Sequence, residues 1–235
     1  MKTFTLNKKE VNIPESWTDV SFNQFVEFTK LIKTQKSEES IVQQYSEYEP
    51  HIQDLYINLY NIEFNTKILC FWTGLDEHDV SVCDMDYIAN VMSTLGFVAL
   101  EYEPIALKSF IFKGETYNLP SGGFEKENFG NYIESEQISI NNKLIESGNF
   151  DILPRQMAIL CKKEGEVSGL IDDNLVNERE ALFRQLDMAT IWDAAFFLLK
   201  QESLLTRSFL TYLEEQNQML KPGSQQKELL TDTAG

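Results

Sequence analysis

Two histidines and three cysteines are the imidazoles and thiols of this chain, so any reaction chemistry must use His51, His78, Cys70, Cys83 and Cys161 or draw on its carboxylates. His78 has the richest surroundings: Gly74-Leu75-Asp76-Glu77-His78-Asp79 runs on to Cys83, Asp84 and Asp86. Zinc asks for convergent ligands, usually closely spaced Cys or His pairs, and one His with one Cys does not supply them. Calcium asks for alternating oxygen ligands with a glycine inside the loop, which is missing here. An acidic turn that caps a helix after a glycine stop accounts for the segment. His51 follows Pro50 and reads as a solvated or capping residue at a helix start. Asp172-Asp173-Asn174 with Glu178 departs from a calcium loop for want of a mid-loop glycine, and helix capping explains it better. Gly122-Gly123 follows Ser121, but no Gly-Lys-Ser/Thr comes after, so the pair reads as a turn and not as a phosphate cradle. No Gly-x-Ser-x-Gly elbow occurs. Acids number 37, so chance pairs of carboxylates carry no information. The expectation is a non-enzymatic protein with no catalytic residue, no cofactor and no metal.

Charge narrows the partners. Lys and Arg number 20 against 37 Asp and Glu, a net of −17 over 235 residues. Nucleic-acid affinity rests on cations that displace condensed counterions, so direct binding to DNA or RNA is not expected. The negative field favours basic partners. Three cysteines without C-x-x-C spacing suit free thiols in a reducing compartment. Lys8, Lys9 and Glu10 interrupt the N-terminus before an apolar core could form, which argues against a secretory signal. Ala194 to Leu199, the longest uncharged apolar run, is far short of the ~20 residues a bilayer span needs. A soluble chain in the cytoplasm is expected, with no membrane partner.

The elements that would position side chains follow from periodicity. Phe4 and Leu6, then Val11 and Ile13, alternate about the polar Asn7-Lys8-Lys9-Glu10, as two strands of a hairpin do. Pro14 ends the second strand. Ser21 can cap a helix carrying Phe22, Phe25, Val26, Phe28 and Ile32. Ser37 to Pro50 is polar and reads as loop or weak helix. Ile52, Leu55, Tyr56, Leu59 and Tyr60 mark an amphipathic helix. Ile68, Leu69, Phe71 and Trp72 precede Gly74, which offers a left-handed stop. Asp84 or Asp86 can start a helix through Ile88, Val91, Met92 and Leu95.

Phe110 to Pro120 lies over Phe4 to Pro14 without a gap: Phe110 over Phe4, Phe112 over Leu6, Tyr117 over Val11, and Asn118-Leu119-Pro120 over Asn12-Ile13-Pro14. Phe129, Tyr132 and Ile133 then resemble Phe25, Phe28 and Thr29. Ile159-Leu160-Cys161 echoes Ile68-Leu69-Cys70, and Asp187-Met188 echoes Asp84-Met85. The shared order predicts an α+β, mostly helical fold made of two tandem copies of a β-hairpin followed by a helical bundle. Repeat 1 spans residues 1–103, repeat 2 spans 104–216, and 217–235 form a flexible C-terminal tail. A period this long indicates a duplicated domain and not a solenoid of short repeats.

Ile191 and Ala194 to Leu199 are apolar on nearly every side, which implies burial or contact with a partner. From Leu204 the stripe narrows through Leu205, Phe209, Tyr212 and Leu213. Phe197, Leu204, Phe209 and Tyr212 are the expected partner-binding residues.

Ile13-Pro14-Glu15-Ser16-Trp17-Thr18-Asp19-Val20-Ser21-Phe22-Asn23-Gln24-Phe25 resembles the I-P-x-S-W-x-x-V-T-x-x-Q-[FY] opening of small proteins encoded among virion genes of tailed bacteriophages, chiefly crAss-like and related phages of Bacteroidetes. Leu69 to Ile88, with Thr73-Gly74-Leu75 and Asp84-Met85-Asp86-Tyr87, is similar to phage tail assembly chaperones. The chain departs from that chaperone pattern in being written twice over and in its extended tail. The resemblance implies a structural or assembly protein of a tailed-phage particle, made in the host cytoplasm and either built into the virion at the head–tail junction or acting transiently on a partner. Its partners would be other phage structural proteins or copies of itself. A transient tail assembly chaperone, absent from the mature virion, is the alternative. An acidic decoy of a host nucleic-acid-binding protein is a third reading, although Asp and Glu here scatter between helices.

Overall fold

Positive φ at two successive residues bends a chain into the hairpin turn whose twist matches the flanking strands. It occurs twice in the computed structural model, which describes residues 1–120, 129–141, 150–166 and 172–198. Asn7 (φ 46°) and Lys8 (φ 65°) join strand β1 (Lys2–Leu6) to β2 (Lys9–Ile13). Lys113 (φ 48°) and Gly114 (φ 81°) join β3 (Ser109–Phe112) to β4 (Glu115–Asn118). Phe4 faces Val11 across the first hairpin as Phe110 faces Tyr117 across the second, so positions aligned between the two segments hold the same place in each hairpin. A two-residue strand, β5 (Lys162–Lys163), adds to β4, with Lys163 bonded to Glu115 at 2.8 Å.

Helices make up most of the rest. Ser21 accepts a hydrogen bond from the Gln24 amide (3.3 Å) and opens α1 (Phe22–Ile32), whose Phe22, Phe25 and Phe28 are buried. Ser37 caps a short helix, α2 (Glu38–Gln44), in the stretch expected to be loop or weak helix. Helix α3 (Pro50–Thr73) is continuous and joins the two apolar segments read separately from the sequence. Proline sits in its first turn, where no amide hydrogen is needed, and Gly74 (φ 68°) ends it by donating to the Cys70 carbonyl at 2.9 Å. The chain continues through α4 (Glu77–Ser81), α5 (Met85–Thr94) and the second hairpin to α6 (Phe129–Asn141) and α7 (Leu153–Leu160). Helix α8 (Asp173–Phe183) follows, capped by the Asp172 carboxylate on the Asn174 amide (3.0 Å), as the acidic cluster there suggested. Asp187 opens α9 (188–198), accepting from the Thr190 amide at 2.9 Å. The fold is therefore α+β and mostly helical, with two small antiparallel sheets among the described residues.

The two halves correspond in their hairpins and in a helix that follows each, then diverge. Helix α3 has 24 residues, whereas α7, which carries the matching Ile-Leu-Cys, has 8 and ends in a β-like residue at Cys161. One apolar cluster takes in Leu6, Trp17 and Phe22 from the first half and Phe110, Met157, Phe183 and Ile191 from the second. Each such side chain contributes about 1.5–3 kcal/mol of burial. This cluster draws side chains from both sides of residue 103.

Two aromatic groups hold the parts together. Trp192 of α9 meets Trp17 edge-on at 4.7 Å and Phe25 at 5.5 Å, and tilts against Tyr102 at 4.9 Å. Phe183 meets Phe110 and Tyr117 at 5.4 and 5.0 Å, seating the second hairpin on α8. Backbone closes the same seam: Phe22 donates to the Leu186 carbonyl and Met188 to that of Val20, each at 2.8 Å, so Ser21 and Asp187 form an antiparallel bridge. Two buried charged side chains are matched where elements meet, while the indole nitrogens of Trp17 and Trp72 are buried without a hydrogen-bond partner. Arg179 donates to the carbonyls of Ala158 (3.2 Å) and Cys161 (2.7 Å) and to Glu166 (2.8 Å). Asp193 accepts from the Tyr102 hydroxyl and the Ile105 amide, both at 2.9 Å.

Candidate interaction surface on helix α3

A helix with no interior glycine or proline keeps a regular stripe, and α3 is about 36 Å of uninterrupted turns at 1.5 Å per residue. It carries two apolar stripes. One comprises Tyr56, Tyr60 and Phe64, continued by Leu69 and Trp72. Tyr56 stacks on Tyr45 at 3.8 Å and nearly parallel, while Phe64 is buried. The Tyr60 hydroxyl accepts from the Lys36 amide at 2.6 Å and so ties α3 to the segment before α2. Leu69 and Trp72 enter the main core, and Trp72 packs on Phe28 of α1 at 4.9 Å.

The second stripe runs through Ile52, Leu55, Leu59 and Ile62, alternately three and four residues apart. This is the spacing of a helix-pairing seam. Leu55, Leu59 and Ile62 are 60%, 51% and 64% exposed and Ile52 is half-buried, so among the described residues nothing covers most of this stripe. The eight residues from Leu55 to Ile62 carry no charge, in a chain with a net of −17. Exposed leucine and isoleucine in a contiguous row are the kind of surface that other proteins cover.

Two hollows border the seam. One, of about 380 Å³, lies between α2 and α3 and is lined by Ile41, Tyr45, Tyr56, Leu59 and Phe64, with Lys36, Glu63 and Lys67 at its polar edge. The other, of about 430 Å³, lies towards α4 and is lined by Ile62, Glu63, Thr66, Lys67, Glu77 and Ser81. Negative charge adjoins the surface. The Tyr48 phenol is held above its ordinary value by Tyr56 first and then by Glu47. Burial, then Glu77 and Asp76, push the Cys70 thiol up, which keeps it protonated and unreactive.

The residues singled out for chemistry are engaged in structure. Asp76 caps α4 by accepting from the Asp79 amide at 2.7 Å. Asp79 accepts from Asn7 at 2.8 Å and from the Lys9 ammonium, pinning the first hairpin turn to α4. The Cys83 thiol donates to the Asp79 carbonyl at 3.2 Å, and His78 is exposed on α4. These residues do not converge: no group of three His, Cys, Asp or Glu able to hold a metal occurs among the described residues. His51 is exposed beside Glu49 at the start of α3 (3.4 Å).

Of the expected partner-binding residues, Phe197 lies in the core at 9% exposure, and its neighbour Phe196 faces outwards at 42%. Leu204, Phe209 and Tyr212 lie outside the described residues, as do Ser121-Gly122-Gly123 and the tail over 217–235. Sequence reasoning named Leu55 and Leu59 as a helix face but did not single out the seam or Ile62. The three-four spacing was the signal that could have found it. No helix among the described residues is long and apolar enough to cross a membrane. Comparison with protein-family models, curated proteins and solved structures finds no match to this chain.

Proposed function

We propose that this protein is a non-enzymatic structural or assembly component of a tailed-phage particle and works through protein–protein contacts. The exposed seam of Leu55, Leu59 and Ile62 on α3 carries the reading, because each of those apolar side chains is more than half exposed. The resemblance of residues 13–25 to an opening found among tailed-phage virion proteins supplies the setting. That segment includes Trp17, which belongs to the aromatic group around Trp192. Its partners are other particle proteins or copies of itself, met in the host cytoplasm during assembly. We also infer that the two halves descend from one hairpin-and-helix unit. Their matching cross-strand pairs and paired positive-φ turns support this.

Mass spectrometry of purified particles tests the assignment, together with electron microscopy of particles produced without the protein. Incomplete particles and its presence in the wild-type virion are the expected result. Incomplete particles with the protein absent from the virion would assign it the transient chaperone role. Complete, infectious particles made without it would overturn the assignment.

A further inference from the structure

Spacing, exposure and charge at the α3 seam together select a kind of partner. A row of apolar residues alternately three and four apart is matched by a second helix with the same repeat, whose side chains fill the gaps between turns. Extended strands and loops repeat differently and would leave alternate seam residues uncovered. The flanks then set the choice of helix, since charges beside a seam decide which helices pair. Asp54 precedes Leu55, Glu63 follows Ile62, Glu49 stands at the helix start, and Glu77 lines the hollow towards α4. Lys36 and Lys67 are the opposing charges around the same surface. The excess is acidic, and it lies within a chain of net charge −17. A second copy would bring like charge against like along the whole approach, whereas a basic helix is drawn in. The hollow lined by Tyr45, Tyr56 and Phe64 opens beside Leu59 and suits one large apolar side chain from the incoming helix.

We propose that the outer face of α3 is a docking seam for an amphipathic helix of another protein, with apolar residues in heptad spacing and Lys or Arg along its flanks. This rests on the reading that the chain acts through protein contacts, and it names the chemistry of the contact.

Three synthetic helical peptides test it against the full chain by fluorescence anisotropy. The first has leucine heptads with Lys flanks, the second has the same heptads with Glu flanks, and the third scrambles the order of the Lys-flanked peptide. The Lys-flanked peptide binds about tenfold or more tighter than either of the others. Leu59→Asp, and separately Leu55→Asp, weaken it by about tenfold with an unchanged far-UV circular dichroism spectrum. The double variant Asp54→Lys/Glu63→Lys moves the preference towards the Glu-flanked peptide. Equal binding of the scrambled peptide would reduce the effect to charge alone and overturn the seam. Equal binding of the Glu-flanked peptide would overturn the charge selection. Light scattering that shows a dimer converted to monomer by Leu59→Asp would make a second copy the occupant and also overturn the proposal. None of these results bears on whether particles require the protein, so this proposal and the assignment to the particle fail separately.

Discussion

Replacing Trp192 by alanine tests whether the two halves fold as one. The indole sits on α9 yet touches Trp17 at 4.7 Å, Phe25 at 5.5 Å and Tyr102 at 4.9 Å, all of which lie before residue 103. Truncating a packed tryptophan costs about 3–5 kcal/mol, and three lost ring contacts place this site in the upper part of that range, at about 4 kcal/mol. With a urea dependence of about 3 kcal/mol per M, the unfolding midpoint falls by ~1.3 M. The assay is urea unfolding of Trp192→Ala followed by far-UV circular dichroism, which reports all the helices, and by fluorescence of Trp17 and Trp72. One shared core requires both probes to shift together and to give a single transition. If the fluorescence transition stays at its wild-type midpoint while part of the helical signal melts early, the first half is stable by itself and the reasoning from a common core is wrong.

Arg179→Met removes a buried guanidinium from two carbonyls and leaves Glu166 without that partner. Thermal unfolding reports a loss of about 3 kcal/mol, less if methionine fills the space well. The Lys9 ammonium, then the Asn7 amide, hold the Asp79 carboxyl below its ordinary 3.8. The stability from that shift is fully present above pH 3.8 and is lost as pH falls through the lower folded value. Acid titration of urea midpoints therefore shows a shallower acid loss for Asp79→Asn than for wild type. Burial first, then the hydrogen bond to Asp193, push the Tyr102 phenol up from 10.0 to about 12. This favours the neutral phenol in the fold, so the contribution is present below pH 10 and is lost as pH rises towards 12. Tyr102→Phe loses less stability across that alkaline window, measured by circular dichroism at fixed urea.

Local signals carried well from sequence to structure. The hairpins follow from alternating side chains about short polar turns. Ser21, Asp172 and Gly74 cap the helices they were expected to bound. What a side chain faces was harder to read. Helix α3 has apolar residues on two sides, so periodicity predicts a helix there without telling the covered stripe from the open one. On α9 nearly every position is apolar, which removes the contrast that would separate buried Phe197 from exposed Phe196. The common core was also hidden, because the contacts of Trp192 join residues far apart in the chain.

The bridge between Ser21 and Asp187 bears on the order of events during synthesis. Helix α1 leaves the ribosome early, but the carbonyl of Leu186 that receives its Phe22 amide, and the Met188 amide that Val20 receives, are made near the end of the described chain. Until those residues emerge, the start of α1 lacks these two backbone partners and Trp17 lacks the ring of Trp192, while packing within the first hundred residues, such as Phe28 on Trp72, can already form. Contacts this distant close slowly, because a long loop must be drawn in before anything is gained. Closure of this seam thus waits until residues 186 to 188 have been made, and for that interval the side chains it covers are open to whatever else is in the cell.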